Sequence, residues 1–121
     1  MEYTYRTNNL SIAPRKLRLV VDKVRSMPIE KAIGILPLIP NKGAQIVLKS
    51  LNSAVSSAVR DQGADQATLE IRRVWVDQGR PLKRMIMGSR GRSERYMKIS
   101  SHLVLVLAPA AEGKKTKKST K

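Results

Sequence analysis

Residues 77–101 read DQGRPLKRMIMGSRGRSERYMKISS, and the fold turns on how this stretch is placed. Between its ends stand seven basic residues, Arg80, Lys83, Arg84, Arg90, Arg92, Arg95 and Lys98. After Asp77 only one acid, Glu94, opposes them. Apolar side chains are sparse: Leu82, Met85, Ile86, Met87, Tyr96, Met97 and Ile99. Gly88 and Gly91 sit near the middle, where a reversing chain needs φ > 0. The apolar, β-branched runs on either side, Val74-Trp75-Val76 and Leu103 to Leu107, read as strands. The stretch is therefore a β-hairpin arm whose outer half leaves the domain. About twelve residues per side at roughly 3.3 Å each give it a reach of about 40 Å. An isolated two-stranded ribbon is marginal in water, and this one carries net positive charge along its length. It calls for an anionic surround, a polyphosphate being the simplest; the alternative is a basic loop with no fixed structure in the free protein.

The rest of the chain shows the same imbalance. Its 121 residues suffice for one domain with a modest core. It holds 24 Lys+Arg against 9 Asp+Glu, a formal net charge of +15. Self-repulsion at that charge asks for a polyanionic partner, and a pI of about 10.9 is a nucleic-acid footprint. A membrane surface would require an amphipathic basic helix, and the basic cluster is not on a helix. No run of about eighteen apolar residues is present, so no transmembrane helix is expected. The opening MEYTYRTNN has neither the apolar core of a signal peptide nor an acid-free transit pattern. The absence of cysteine excludes disulfides and thiolate metal sites. The expectation is a cytoplasmic protein without cofactor, metal or homo-oligomeric partner.

Outward from the arm, Leu69 to Val76 is a strand of imperfect alternation. Leu69, Ile71 and Trp75 share a parity, but so does Arg73, which suggests a bulge or an edge position. Trp75 is read as core or sheet packing. Leu103 to Leu107 is continuously apolar and reads as a central strand. Upstream, Tyr3, Tyr5, Leu10 and Ile12 mark a short strand and turn. Pro14 opens a helix from the first-turn position that suits it, with Leu17, Val20, Val21 and Val24 on its apolar stripe. A second helix puts Ile29, Ala32, Ile33 and Leu36 inward, and Pro37 and Pro40 end it. The longest helix, about 42 to 60, is capped by Asn41. It carries Ala44, Val47, Leu48, Leu51, Ala54, Val55 and Ala58 at three-four spacing and ends at Gly63.

The expected fold class is α+β: three helices packed on a small antiparallel sheet, with one long protruding β-hairpin. Residues 1–108 form a single domain including the arm 77–101. Residues 109–121, with five lysines and no large apolar group, form a disordered basic tail.

Arginine dominates the arm's tip, and its planar fork suits phosphate and base stacking. Arg15, Lys16 and Arg18 lie by the start of the first helix, where free N–H groups and the dipole attract phosphate; a plain exposed helix face is the competing account. His102 is the only histidine and has no cysteines to build a metal site with, so it is structural or an RNA contact. Gly88-Ser89-Arg90-Gly91 lacks the spacing and lysine of a P-loop, and no serine sits in a G-x-S-x-G elbow. No enzyme constellation emerges. Four scattered Trp and Tyr residues make no stacking platform. The mechanism implied is charge on a shaped scaffold. Neutralising roughly eight phosphates would give a log–log salt slope of about −6 to −7. A DNA-binding architectural arm is the rival class, although such arms carry an apolar wedge or proline at the tip.

Certain segments resemble a known family. Val76-Asp77-Gln78-Gly79, Leu82-Lys83-Arg84, Arg90-Gly91-Arg92, Arg95, and Ser101-His102-Leu103-Val104-Leu105-Val106 are similar to the signature of the large-subunit ribosomal protein twenty-two family in its bacterial form. Ala13-Pro14-Arg15-Lys16-Leu17-Arg18-Leu19-Val20 resembles its first-helix motif, with Ala13 where the family often has serine. Asn41-Lys42-Gly43-Ala44 and Asp61-Gln62-Gly63-Ala64-Asp65 match as well. The resemblance spans about residues 5 to 108, and the lysine tail is not part of it. It implies a structural protein of the large subunit that binds ribosomal RNA and aids assembly, with neighbouring ribosomal proteins and the nascent polypeptide as further partners. RNA-binding candidates are Arg15, Lys16, Arg18, Lys83, Arg84, Arg90, Arg92, Arg95 and Lys98. The tip, Met87, Gly88, Ser89, Arg90, Gly91, Arg92 and Ser93, would form part of the exit-tunnel wall.

Overall fold

The computed structural model describes residues 2–110. Strand β1 (Tyr3–Leu10) leads into helices α1 (Pro14–Val24), α2 (Ile29–Ile35) and α3 (Lys42–Gln62). Strand β2 (Leu69–Gln78) follows, then the hairpin β3 (Leu82–Met87) and β4 (Ser93–Lys98), then β5 (Ser101–Pro109). The sheet order is β1-β5-β2, antiparallel throughout, so β5 is the central strand. This is the α+β arrangement expected, with α1 lying over β2 and α3 over β1 and β5.

Packing explains each assignment. Leu103, Leu105 and Leu107 point from β5 into the helical layer and are fully buried. They meet Leu17, Val20, Val21 and Val24 of α1 and Ala44, Val47, Leu51, Ala54 and Val55 of α3 in one core. Gly43 lets the first turn of α3 approach α1: a Cβ there would lie 3.1 Å from Val20 Cγ2. The intervening valines, Val104 and Val106, face the side without helices yet are only 2 % exposed. Their register partners Thr4 and Arg6 on β1, and Arg73 and Trp75 on β2, flank them on that face. The outer face of the central strand is thus covered by its neighbours' long side chains.

The bulge expected in β2 falls between Ile71 and Arg73, opposite β5. It inserts Arg72 and reverses the strand's parity. Leu69 and Ile71 point inward before it, Val74 and Val76 after it. Trp75 is therefore outside the core, 39 % exposed on the open face beside Val104. Its reading as a core residue is corrected by this one inserted residue; packing on the sheet's outer face stands.

β2 is also an edge strand, and edges need covering. Arg25 Nη1 donates to the Val74 carbonyl and Arg18 Nη2 to the Val76 carbonyl, both at 2.9 Å. The Ile71 N–H donates to Met27 O. At the other edge β1 shifts register between Thr7 and Leu10, where Asn9 takes φ 58° and its N–H donates to His102 Nδ1. His102 thus holds a structural place. Asn41 stands at the start of α3 without a side-chain capping bond, contrary to expectation, whereas Gly63 ends α3 at φ 66° as expected. Of the expected tail, Pro109 is the last residue of β5, and the Ala110 N–H donates to Thr68 O just before β2. Residues 111–121, the remainder of that tail, lie outside the described residues.

Candidate nucleic-acid interface

The arm leaves the sheet through a stem. Asp77 pairs with His102 and Gln78 with Ser101 in the main sheet, so the arm proper is 79–100 rather than 77–101. The Gly79 N–H then donates to Ser100 O at 2.8 Å, and Ser100 Oγ donates to Arg80 O. Gly79 is buried and in close approach: a Cβ there would collide with Ser100 Oγ and lie 3.1 Å from its carbonyl carbon. Beyond this junction β3 and β4 form a separate two-stranded ladder from Leu82↔Lys98 to Met87↔Ser93. From Gly79 to Met87 the ribbon extends about 30 Å at roughly 3.3 Å per residue, shorter than the expected 40 Å.

Register decides how the cations are displayed. Each lies directly opposite something other than a cation: Leu82↔Lys98, Lys83↔Met97, Arg84↔Tyr96 and Met85↔Arg95. Like charges facing each other would destabilise the ribbon; this spacing avoids that. Because partners share a face and the faces alternate, both sides carry charge. Lys98 and Arg84 stand on one side, Lys83 and Arg95 on the other. All four are exposed, as are the methionines between them. Glu94 is the sole acid of the arm and lies opposite Ile86, near the tip.

At the tip Ser89–Gly91 forms a short 3-10 turn closed by the Arg92 N–H donating to Ser89 O, and at its base the Gly88 N–H donates to Arg92 O. Gly91 takes φ 73°, as expected of a reversing glycine, but the second left-handed residue is Arg90, at φ 58°. Gly88 is extended at φ −98°. Its constraint is proximity, since a Cβ there would lie 3.0 Å from Arg92 O. Arg90 and Arg92 are exposed at the far end of the arm.

The cations of α1 are also exposed, but Arg18 has a structural task as well. One of its five donors holds the β2 edge at Val76 O. Neither α1 nor α3 has an acid in its first turn or a side chain bonded to its free N–H groups, so both starts keep their positive end. The two clusters read separately from the sequence converge here. Lys16 from α1 and Lys98 from the arm line one cleft of about 650 Å³, and Lys42 at the start of α3 joins them. Lys42 was missed in the sequence. Its signal was its position, the first residue of α3, which brings it to α1 where Gly43 packs. Arg15 is not on that cleft.

Among the described residues no group of three or more His, Asp or Glu side chains is arranged to hold a metal. No helix there is long and apolar enough to cross a membrane. The arrangement is a charged ribbon and a charged cleft, suited to a polyanion with grooves. A comparison with protein families agrees: residues 5–108, covering the core and the whole arm, match the family model described as Ribosomal protein L22p/L17e.

Proposed function

The chain belongs to the Ribosomal protein L22p/L17e family, structural proteins of the large ribosomal subunit that bind its RNA, and from that premise we propose that its arm is threaded through that RNA with its tip at the polypeptide exit tunnel. The observation that carries this is the arm itself. It projects from the sheet as a separate ladder, with cations on both faces and at the tip. A ribbon charged on one face would lie on RNA; one charged on both faces is suited to being surrounded by it. Arg15, Lys16 and Arg18 of α1, with Lys83, Arg84, Arg90, Arg92, Arg95 and Lys98 of the arm, are the protein's phosphate contacts. Their charge is what the RNA's own repulsion requires neutralised, so the protein aids assembly by letting RNA segments close around the arm. The working place is the cytoplasmic ribosome, beside other ribosomal proteins. The family match favours this over an arm in the groove of a DNA duplex.

The tip supports the finer part of the proposal. Met87 is 90 % exposed, and beyond it Gly88 to Arg92, with the short turn Ser89–Gly91 at their centre, are exposed apart from the half-buried Gly88. Such a surface suits a wall past which many sequences move. Because the chain has no cysteine, Ser89→Cys gives a single thiol at the tip. In translating ribosomes carrying this variant, a short thiol crosslinker should join the introduced thiol to nascent chains. Crosslinks only to outer-surface proteins, with none to nascent chains, would sink the tunnel assignment.

A further inference from the structure

We propose that the cleft at the root of the arm seats one unpaired nucleotide of the large-subunit RNA, fixing the arm's direction relative to the core; this rests on the RNA-binding reading above. The cleft is built from three elements that are remote in sequence. Ser11, Ile12, Ala13, Lys16 and Leu19 come from the first helix and the turn before it. Asn41, Lys42 and Gly43 come from the start of α3, and Leu82, Lys98, Ile99 and Ser100 from the arm's root.

Charge complementarity selects the occupant. Three lysines line the cleft and no acid does. Lys42 is held in place by donating to Ser11 O at 2.9 Å, which uses one of its three donors. A phosphate alone would need only the lysines. Between them, however, are open apolar walls: Leu19 is 65 % exposed, Leu82 49 % and Ile99 41 %. A nucleotide has the matching duality, an anionic phosphate and a flat face that packs on apolar side chains. The volume, about 650 Å³, is in the range of about 300–1,000 Å³ that holds small organic ligands. Asn41, whose amide makes no capping bond, supplies a donor and an acceptor for a base edge. A paired base cannot enter such a cleft, so the occupant is unpaired. Touching both helices and the arm together, it locks the junction at Gly79.

The test uses the full chain and intact large-subunit RNA. Leu19→Cys, labelled with a benzophenone maleimide, places a photoprobe on the cleft wall. Leu38→Cys, labelled alike, is the control on the turn after α2. Crosslinks from the cleft probe concentrated on one unpaired nucleotide, and absent from the control probe, are expected. In the unlabelled chain Lys42→Gln should lower affinity about five- to tenfold and reduce the salt slope by about 0.7–0.9. If the complex forms but crosslinks from the cleft probe scatter over paired nucleotides or go to protein, the cleft proposal fails while RNA binding stands. An unchanged affinity in Lys42→Gln overturns it in the same way. If the unsubstituted chain forms no complex, the broader RNA-binding reading itself fails.

Discussion

Excising Lys83–Lys98 and joining Leu82 to Ile99 through Asn-Gly separates the folding of the core from the proposed RNA binding of the arm. The excised residues contribute nothing to the core: Met85, Ile86, Met87 and Met97 are each more than half exposed, and none belongs to the buried cluster. The stem bond from the Gly79 N–H to Ser100 O and the pairing of β2 with β5 remain. Shortening the connection changes loop-closure entropy by less than about 1 kcal/mol. The excision removes six cations and one acid, taking the net charge from +15 to +10 and easing self-repulsion. Thermal unfolding should stay cooperative, with a midpoint within about 5 °C of the parent. RNA binding should change far more. At about 0.7–0.9 per phosphate, losing six contacts takes the log–log salt slope from about −6 or −7 to about −1.5. Between 50 and 200 mM salt the parent then loses affinity by about 10⁴, the excised form by only about tenfold. Fluorescence anisotropy with labelled large-subunit RNA across that range measures this. An unfolded excised chain would refute the division into core and arm; an unchanged salt slope would refute the arm's role.

Two further perturbations test the scaffold. Gly79→Ala forces a Cβ against the Ser100 backbone, so the junction must open. A cost of about 1–3 kcal/mol is expected in chemical denaturation, together with weaker RNA binding although no cation is lost; unchanged stability would contradict the close approach. Arg18→Met removes the donor to Val76 O at the β2 edge. It should destabilise the RNA-free protein by about 1–2 kcal/mol as well as weaken binding, whereas Lys16→Met should affect binding alone. Equal stability of the two variants would show that the edge contact is idle.

Elements that announce themselves by local periodicity were legible in the sequence. The apolar run Leu103 to Leu107 can be satisfied only by burial, and it occupies the centre of the sheet. The stripes of α1 and α3 and the glycine after α3 follow the same logic. What escaped depends on contacts across the fold. The inserted Arg72 moves Trp75 to the outer face, and alternation alone suggested a bulge without saying which residues it would turn outward. Arg18 and Arg25 look like solvent-facing helix residues until β2 is laid beside α1, where they meet bare edge carbonyls. Gly79 carries no positive-φ signal, and its need is the closeness of Ser100. At the tip the left-handed pair is Arg90-Gly91 rather than the two glycines, because Gly88 already serves the close contact with Arg92. For the interface, the arm's cations were plain from composition, but Lys42 joins them only through the packing of α3 on α1.

The proposed function makes the arm a ribbon whose order depends on RNA, and amide hydrogen exchange tests that dependence residue by residue. In the free protein, amides from Lys83 to Lys98 should exchange within seconds while those of β5 stay protected, because the ladder β3-β4 has no core behind it. On binding large-subunit RNA the same arm amides should slow by at least about a hundredfold. Slow exchange in the arm without RNA, or no slowing when RNA is bound, would contradict that dependence.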